Sequence, residues 1–459
     1  MESQGLERIR VMPEIEAALA SRSYGRVRVL LESAPPRDVA DLIEAFPEGD
    51  RVVLLRLLPR EQASDVFEYL DPDLQEGLIR GLGQERVSDL LNDMSPDDRT
   101  ALLEELPASI TRQLMQLLTP EERQIAQKLL GYPEESVGRL MTPDYVALEQ
   151  EWTVQEALDH IREHGDDSET LNLVYITDAR GRMIDDLRIR QLLVAPLNAK
   201  LREVSDGHFV SLRADDDQET AVLAFGDHDR VAMPVLDSTG VLLGIVTVDD
   251  VFDVAEEEVT EDIHKLGGME ALDEPYMRAP FGEMLKKRSP WLIGLFLAQM
   301  ITINAMRNFE GQLQAAIALV AFIPLIISSG GNSGTQAATL VVRAMALGEV
   351  QLGDWWRVVR REVLFGLTLG AVLSLLGFLR IAVGAGLGEA YDGVWGRYAI
   401  AIGGSLICVV MWGVLIGSML PFLLRRLGFD PAASSTPFVA TLVDVTGLII
   451  YLSVASMVL

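Results

Sequence analysis

Residues 40–131 carry apolar and polar positions in a pattern that repeats. Turn motifs lie at residues 70, 94 and 118, a spacing of 24, and each unit is closed by a second break about twelve residues later. This spacing predicts two short helices per unit, stacked as an α-solenoid whose units bury their apolar faces on their neighbours. The motifs are Phe46-Pro47, Leu70-Asp71-Pro72, Met94-Ser95-Pro96 and Leu118-Thr119-Pro120, with closing breaks at Leu58-Pro59, Leu82-Gly83, Leu106-Pro107 and Leu130-Gly131.

A pattern typical of short strands begins after residue 132. Apolar runs at Leu171–Thr177 and Val241–Thr247 adjoin glycine turns and alternate with helical segments. The order predicts two β-α-β-β-α units in tandem. The units resemble a pair of cystathionine-β-synthase-type (CBS) domains, with Gly244–Asp250 as the most typical strand-to-helix stretch. Helical periodicity resumes at Val248 and is expected to run to about Met277, with an interruption at two glycines.

Long apolar blocks fill the chain from residue 291 onward. Each approaches or exceeds the length that a helix needs to cross a hydrocarbon core of about 30 Å, so the sequence predicts five membrane spans. The blocks are Trp291–Met306, Ala315–Ser329 continuing to Met345, Val363–Gly384, Tyr398–Leu424 and Pro437–Leu459.

Basic residues are unevenly distributed around these blocks. One side of the predicted membrane domain carries most of them, and the other has only Arg307 and Arg397. The positive-inside rule therefore predicts a cytoplasmic N-terminal half and an external C-terminus. The basic side has Lys286, Lys287, Arg288, Arg357, Arg360, Arg361, Arg425 and Arg426.

The expected fold class is a multidomain membrane protein. We predict a helical-repeat N domain at 1–131, an α/β tandem CBS pair at 132–252, an acidic connecting helix at 253–280 and a five-span α-helical membrane domain at 281–459. The N-terminus lacks the apolar stretch of a signal peptide, which favours a cytoplasmic location for the soluble half.

Charge and hydropathy are segregated in the same way. The net charge is −29, and 49% of the residues are hydrophobic. Both properties occur in one chain because acidic residues crowd the first 280 positions and the apolar blocks follow them. Such acidity argues against nucleic-acid binding, which requires a basic surface. Cys408 is the one cysteine and the five histidines have no metal-ligand spacing, so oxygen is the abundant ligand type. Oxygen ligands point to a hard cation.

Asp444 is the one acidic residue inside the five apolar blocks. A carboxylate at this depth costs about 3 kcal/mol on insertion scales and usually marks a path for ions or protons. The structural alternative is an Asp paired with a buried base or hydroxyl, for which Arg380 is the obvious base.

The stretch Gly330–Gln336 puts three glycines, Asn332 and Gln336 inside a second apolar block. Polar groups at membrane depth are tolerated where they line a cavity. Small residues are equally typical of helix-packing seams. Spacing alone leaves both interpretations open.

Acidic residues also cluster at 249–262, ahead of the first apolar block. Several share one helical face, where like charges repel unless water, salt or divalent cations screen them. A solvated helix face is the simple interpretation, and a regulatory cation site is the alternative. The residues are Asp250, Asp253, Glu257 and Glu261 on the face, with Glu258 and Asp262 beside it.

Taken in order, these stretches resemble the MgtE family of magnesium channels or transporters over nearly the whole chain. Each motif is weak alone, but the ordered set is specific. The motifs are Met141-Thr-Pro143, Thr247–Asp250, Thr260–Leu266, Gly330–Gly334, Pro421–Pro431 and Ala440–Gly447.

The resemblance implies a homodimer in the bacterial inner membrane, with an Mg²⁺ pore along the subunit interface and no enzymatic activity. It implies that Asp444 selects the ion, that Ala440 offers a backbone carbonyl, that Asn332 lines the pore and that Asp430 is an acidic position beside the membrane. It further implies that cytosolic Mg²⁺ holds the pore closed by binding acids of the N domain, the CBS pair and the connecting helix. The matching acids are Asp97, Asp98, Asp217, Asp229, Asp250, Asp253, Glu257, Glu258, Glu261 and Asp262.

The CBS pair differs in its first unit from the residue pattern of CBS domains that bind adenosine nucleotides. CBS domains that bind adenosine nucleotides often pair a Ser or Thr with an Asp, which the second unit keeps as Thr247 and Asp250. The first unit has Arg188 and Gln191 instead, and Asp185-Asp186 replace the usual small residues of its strand. Members of the family it resembles can bind ATP in the first unit, so the sequence leaves open whether ATP is a cofactor of this chain.

Three other functions compete with a magnesium channel. A pore for Co²⁺, Ca²⁺ or another divalent cation would use the same residues. A non-conducting Mg²⁺ sensor would leave the lone Asp444 unexplained. An intramembrane aspartyl protease needs two membrane carboxylates in one site, and the apolar blocks offer one per chain.

Overall fold

A computed structural model describes residues 2–272, 276–277, 279–309, 317–387 and 394–458. The chain divides into two compact units, Met1–Ala255 and Glu256–Leu459.

Short helices make up the first part of the Met1–Ala255 unit. From the third helix onward they begin at residues 36, 48, 60, 72, 84, 96, 108 and 120, twelve residues apart, so the predicted helix pairs are present. Alternate helices pack together, as α3 does on α5 and α5 on α7. The solenoid itself stays a prediction. The helices are α1 Glu2–Ala20, α2 Tyr24–Glu32, α3 Pro36–Glu44, α4 Glu48–Leu57, α5 Arg60–Glu68, α6 Pro72–Gly81, α7 Gln84–Asp93, α8 Pro96–Glu105, α9 Ala108–Leu114 and α10 Pro120–Leu129.

Two β-α-β-β-α units follow, as predicted. In each unit the first two strands pair in parallel and the last two antiparallel, in the order β1-β2-β3 and β4-β5-β6. The first unit comprises β1 Ala147–Glu149, α12 Val154–His164, β2 Leu173–Thr177, β3 Met183–Arg188 and α13 Ile189–Val194, and short helices α11 Val137–Leu140 and α14 Leu201–Val204 flank it. The second comprises β4 Leu212–Arg213, α15 Gln218–His228, β5 Ala232–Leu236, β6 Leu242–Thr247 and α16 Val248–Leu266.

Apolar residues of both units form one shared cluster. Tyr175 of β2 and Ile245 of β6 are fully buried in it, together with Leu173, Met183, Ala232 and Leu242. The two units are therefore joined by a common core.

Helix α16 ends earlier than the periodicity predicted. It stops at Leu266, where Gly268 adopts φ +75° and the Met269 N–H bonds to the carbonyl of His264. A glycine with positive φ after the last turn is the usual way a helix terminates. The expectation of a helix to about Met277 was therefore wrong, and residues 273–275 of that stretch lie outside the described residues.

Long helices dominate the Glu256–Leu459 unit. Helix α21 packs against α19, α20 and α22, while α17 packs on α22. Much of α17 and α20 is apolar yet exposed within the chain, including Phe296 and Leu375. The helices are α17 Phe281–Asn308, α18 Ile317–Val320, α19 Ile323–Ala346, α20 Trp355–Gly386, α21 Trp395–Arg426 and α22 Thr436–Val458.

Three helical segments within the described residues are long and apolar enough to cross a membrane: Leu352–Gly386, Trp395–Arg426 and Thr436–Val458. They fit a membrane protein with its apolar helices toward the C-terminus. The count of five spans stays a prediction, and the start of its second block at residues 315–316 lies outside the described residues.

Candidate functional site

Asp444 lies midway along α22, half-buried against α19. A Cβ built on Gly331 of α19 would lie 3.8 Å from the Asp444 Oδ1 and 3.8 Å from the Ala440 Cα. Ala440 and Asp444 are one helical turn apart, so they share the face of α22 that Gly331 contacts. The absence of a side chain at Gly331 therefore leaves space beside the carboxylate.

Gln299 of α17 is a partner of Asp444 that the sequence analysis missed. Its side chain hydrogen-bonds to the Asp444 carboxylate. It sits in the apolar block Trp291–Met306, so a polar amide among apolar residues was the available signal. Three helices, α17, α19 and α22, thus border Asp444.

The glycines of α19 form a packing seam with α21. A Cβ on Gly330 would lie 2.5 Å from Val409 Cγ1, and a Cβ on Gly334 would lie 2.8 Å from the carbonyl oxygen of Gly413. In the reverse direction, a Cβ on Gly417 would overlap the carbonyl of Gly334. The packing interpretation of the Gly330–Gln336 stretch is therefore confirmed for Gly330 and Gly334.

The amides of the same stretch face elsewhere. Asn332 is exposed within the chain and donates to the Ser328 hydroxyl at 3.4 Å, and Gln336 is also exposed. Neither amide belongs to the glycine seam. Their open position is compatible with a pore lining, which stays a prediction.

Asp430 lies between α21 and α22 and is tied to the connecting helix. The Lys265 ammonium of α16 lies 2.6 Å from Asp430 Oδ2 and 2.5 Å from Glu261 Oε1. Burial lowers the pKa of Lys265, but its hydrogen bonds to the two carboxylates outweigh that effect and raise it above the ordinary value. Burial and the charge of Asp430 raise the pKa of Asp262. One lysine thus sits among three acids that the sequence assigned to cations.

Six acids gather in the Met1–Ala255 unit where the short helices meet the CBS pair. Asp97 is 7% exposed, and Glu68, Asp98 and Asp250 are half-buried. The carboxylates act on one another electrostatically, since Asp98 raises the pKa of Glu68 and Asp250 raises that of Asp97. We call Glu68, Asp97, Asp98, Glu169, Asp249 and Asp250 the acidic cluster; Glu68, Glu169 and Asp249 were not among the predicted ligands.

Burial is the main cause of the pKa shifts in this cluster. It raises the pKa of Glu68 to about 8, with Asp98 adding to the effect. It raises the pKa of Asp250 to about 7, opposed by the Thr247 hydrogen bond and reinforced by Asp249 and Asp98. It also raises the pKa of Asp97 well above its usual range. Burial therefore favours the protonated form of these carboxyl groups.

Local structure fixes the two acids of α8. Ser95 caps the helix: its hydroxyl donates to Asp98 Oδ2 at 2.7 Å, and the Asp98 N–H donates back at 3.4 Å. Arg99 is fully buried and donates to the carbonyls of Leu91 and Met94 at 3.1 and 3.2 Å, and it is ion-paired with Glu122. These contacts hold the first turn of α8 in place.

The other predicted acids do not gather in one place. Asp217 is the N-cap of α15 and accepts from the Glu219 N–H, whereas Asp229 follows the last residue of the same helix with φ +48°. At 1.5 Å per residue they are about 18 Å apart and cannot bind one ion. On α16, Asp253 and Glu257 are exposed and Glu258 is half-buried. In the part of the chain that the structure describes, no three His, Cys, Asp or Glu side chains form a ready metal cage.

The Thr247–Asp250 pair is also present in the structure. The Thr247 hydroxyl donates to Asp250 Oδ2 at 2.5 Å, across the junction of β6 and α16. Because Asp250 also belongs to the acidic cluster, one carboxylate serves the CBS unit and the helical domain together.

The fold and these sites fit a membrane transporter with an N-terminal half built from short helices and a CBS pair. Family models match residues 323–454 as "Divalent cation transporter", 34–135 as the "MgtE intracellular N domain", and 137–197 and 201–257 as CBS domains. The chain is 43% identical over 340 residues to the magnesium transporter MgtE of Thermus thermophilus, covering 73% of each chain. It is 34% identical to the protein of that name from Enterococcus faecalis, covering 72% of this chain and 71% of that one. The chain belongs to the MgtE family, and the names of its relatives support Mg²⁺ transport.

Solved structures resemble the soluble half. The cytosolic domain of the Mg²⁺ channel MgtE in complex with ATP has 35% identity and a TM-score of 0.51, covering 53% of this chain and 99% of that one. The soluble part of a magnesium transporter has 26% identity and a TM-score of 0.52, covering 55% of this chain and 99% of that one.

Proposed function

We propose that this protein is an Mg²⁺-selective channel or transporter that carries Mg²⁺ into the cytoplasm. The observation that carries the proposal is Asp444, an acid midway along an apolar helix, next to the space that Gly331 leaves open. The chain is a multi-pass protein of the bacterial inner membrane with its soluble half in the cytoplasm. Membrane potential then favours inward flow of a divalent cation without ATP hydrolysis.

Two copies of the chain form the pore, which brings two Asp444 carboxylates to one path. Mg²⁺ keeps much of its hydration shell and demands octahedral oxygen geometry, so few direct ligands are needed. One carboxylate and the Ala440 carbonyl from each copy, with Asn332 nearby, supply oxygen ligands for a largely hydrated ion. The large apolar side chains exposed on α17 and α20 are covered by lipid and by the second copy.

Cytosolic Mg²⁺ regulates the path through the soluble acids. The acidic cluster carries like charges with raised pKa values, so a divalent cation there relieves repulsion and draws the helical domain onto the CBS pair. The acids of α16 and Asp430 extend the same response toward the membrane domain, and their occupancy closes the pore. When Mg²⁺ is scarce the acids repel and the pore opens.

Mg²⁺ uptake into proteoliposomes tests the pore assignment. We expect Asp444→Ala to lower the initial uptake rate at least about tenfold, because an attraction of several kcal/mol between a carboxylate and the ion is lost. Asp444→Asn keeps the side-chain size and tests the charge alone. Asp354→Asn, a helix-end acid bonded to Arg357, is the matched control and should transport normally. Wild-type uptake by Asp444→Ala would refute the assignment.

A further inference from the structure

Strand β3 of the first CBS unit carries two adjacent acids, and the fold uses both of them. Asp185 is 1% exposed, and its Oδ2 accepts hydrogen bonds from the Ser205 hydroxyl at 2.6 Å and from the backbone N–H groups of Asp206 and Gly207 at 2.9 and 3.1 Å. These donors belong to the segment that connects the two CBS units. Asp185 therefore fastens that segment to β3.

Asp186 points to the second CBS unit. Arg230 Nη1 lies 2.8 and 2.9 Å from the two carboxylate oxygens of Asp186, and the side chains of Arg230 and Asp186 are 17% and 6% exposed. Arg230 precedes β5, and Asp186 is the register partner of Tyr175 on β2. The ion pair thus bridges the two units beside their shared apolar cluster.

The junction that follows β3 lacks the groups that hold a nucleotide. The position that carries a ribose-binding Asp in nucleotide-type CBS units is Gln191, whose Oε1 accepts from the backbone N–H of Arg188 at 2.8 Å. That bond closes the first turn of α13. A neutral amide that already caps its own helix offers no carboxylate to ribose hydroxyls. These residues do not fit an adenine nucleotide.

We propose that the Asp186–Arg230 ion pair takes the structural place of a nucleotide in the first CBS unit. The pair joins the two units without a bound ligand, so the first CBS unit is held to the second by side chains of this chain and does not bind ATP.

The energetics of a buried pair support this role. Breaking such a pair by removing one partner leaves an uncompensated charge, whereas removing both leaves none. A bound ligand is present only when its concentration is high enough. Arg230, by contrast, is part of the chain and keeps its charge at any physiological pH. The link between the units therefore does not depend on the concentration of a ligand.

Two measurements on the full-length protein in detergent test the proposal. Asp250→Asn removes the carboxylate of the Thr247–Asp250 pair in the second unit. Equilibrium dialysis of this variant against radiolabelled ATP, with and without Mg²⁺, should give no saturable binding at millimolar ATP. In thermal melts, Arg230→Ala and Asp186→Ala should each lower the Tm by about 6 °C or more. Arg162→Ala is the matched control, because Arg162 pairs with Asp159 on the exposed face of α12 and its loss should leave the Tm unchanged.

The double variant Asp186→Ala/Arg230→Ala keeps the test decisive where a single variant fails to fold. Its Tm should fall by clearly less than the sum of the single losses, since neither charge is left unpaired. Saturable ATP binding by Asp250→Asn would overturn the proposal. Equal melting of Arg230→Ala and Arg162→Ala would overturn the role of the ion pair.

Discussion

At the scale of single residues, a site residue could be predicted when its chemistry differs from that of its neighbours in the sequence. Asp444 was identifiable because it is the one acid within the apolar blocks. Lys265 was not, because its partner Asp430 is 165 residues away and a lysine in an acidic helix looks like simple charge balance. Glu68 and Glu169 were missed for the same reason: they join the acidic cluster only through folding.

Asp97 gives a prediction at this scale. Asp97→Asn keeps the side-chain size and its acceptor for the Asp98 N–H, but removes one charge from the acidic cluster. We expect a higher Tm without Mg²⁺, because repulsion and the cost of burying a charge are relieved. The Tm rise that Mg²⁺ produces should shrink to less than half, since one ligand is lost.

Thermal melts without Mg²⁺ and with about 10 mM Mg²⁺ provide the measurement. A site with a millimolar dissociation constant is empty in the first condition and largely filled in the second. Asp159→Asn is the control, because Asp159 is an exposed residue of α12 paired with Arg162. An Mg²⁺-dependent Tm rise in Asp97→Asn as large as in the control would remove Asp97 from the regulatory site.

At the scale of elements, boundaries were predictable where a capping motif marks them. Ser95-Pro96 and Thr119-Pro120 begin α8 and α10, and both hydroxyls accept the expected N–H bond. The end of α16 was misplaced because apolar periodicity was followed past the two glycines at 267 and 268, where the structure ends the helix with Gly268 at positive φ. The contact of α19 with α21 could not be chosen from sequence, since a small-residue stripe does not specify its partner.

The seam between α19 and α21 gives a prediction for a pair of elements. In Gly417→Ala the new methyl group would overlap the Gly334 carbonyl, so the helices must separate. Overpacking of this kind costs about 1–3 kcal/mol, and we expect a lower Tm and a poorer yield of folded protein.

Gly404→Ala is the matched control on the same helix. Its methyl group would meet Val454 Cγ1 at 3.6 Å, an ordinary contact. Alanine also favours a helix over glycine by roughly 0.5–1 kcal/mol. Gly404→Ala should therefore melt no lower than the wild type. Equal stability of the two variants would contradict the close approach of α19 and α21.

At the scale of the whole molecule, domain order was predictable because each domain has its own hydrophobic period. Short helical repeats, strand alternation and long apolar blocks do not resemble one another, and they follow in sequence. The convergence of the acidic cluster was less accessible, since it joins α5, α8, residue 169 and the start of α16. The sequence shows two adjacent acids in α8 and two in α16. It does not show that these acids come together in the fold.

The pH dependence of the soluble half follows from the cluster. Glu68 and Asp250 have pKa values of about 8 and about 7, above their ordinary values, so they stabilise the folded form fully at low pH. That contribution is lost as the pH rises through about 7 to 8. Without Mg²⁺, the Tm should therefore fall between pH 6 and pH 9. Saturating Mg²⁺ should flatten this dependence, and a Tm independent of pH without Mg²⁺ would contradict it.

Gating is the second prediction at this scale. Neutralising Asp250, Asp253, Glu258 and Glu261 together removes carboxylates along α16. We expect the cytosolic Mg²⁺ concentration needed for half-closure to rise about tenfold or more, because the closed state loses ligands for the ion. Patch-clamp recording with stepped cytosolic Mg²⁺ measures this. Unchanged inhibition by Mg²⁺ would show that this helix is not a sensor.

The twelve-residue spacing of helix starts between residues 36 and 120 has a consequence for how the N domain can change in size. Alternate helices pack together, so residues 24 apart occupy equivalent positions in successive layers. An insertion or loss of 24 residues preserves which faces meet, whereas a change of 12 would exchange them. The domain can therefore lengthen by duplication of whole units. A unit inserted ahead of α8 would leave its acids beside the CBS pair, whereas a unit inserted after α8 would separate them from it.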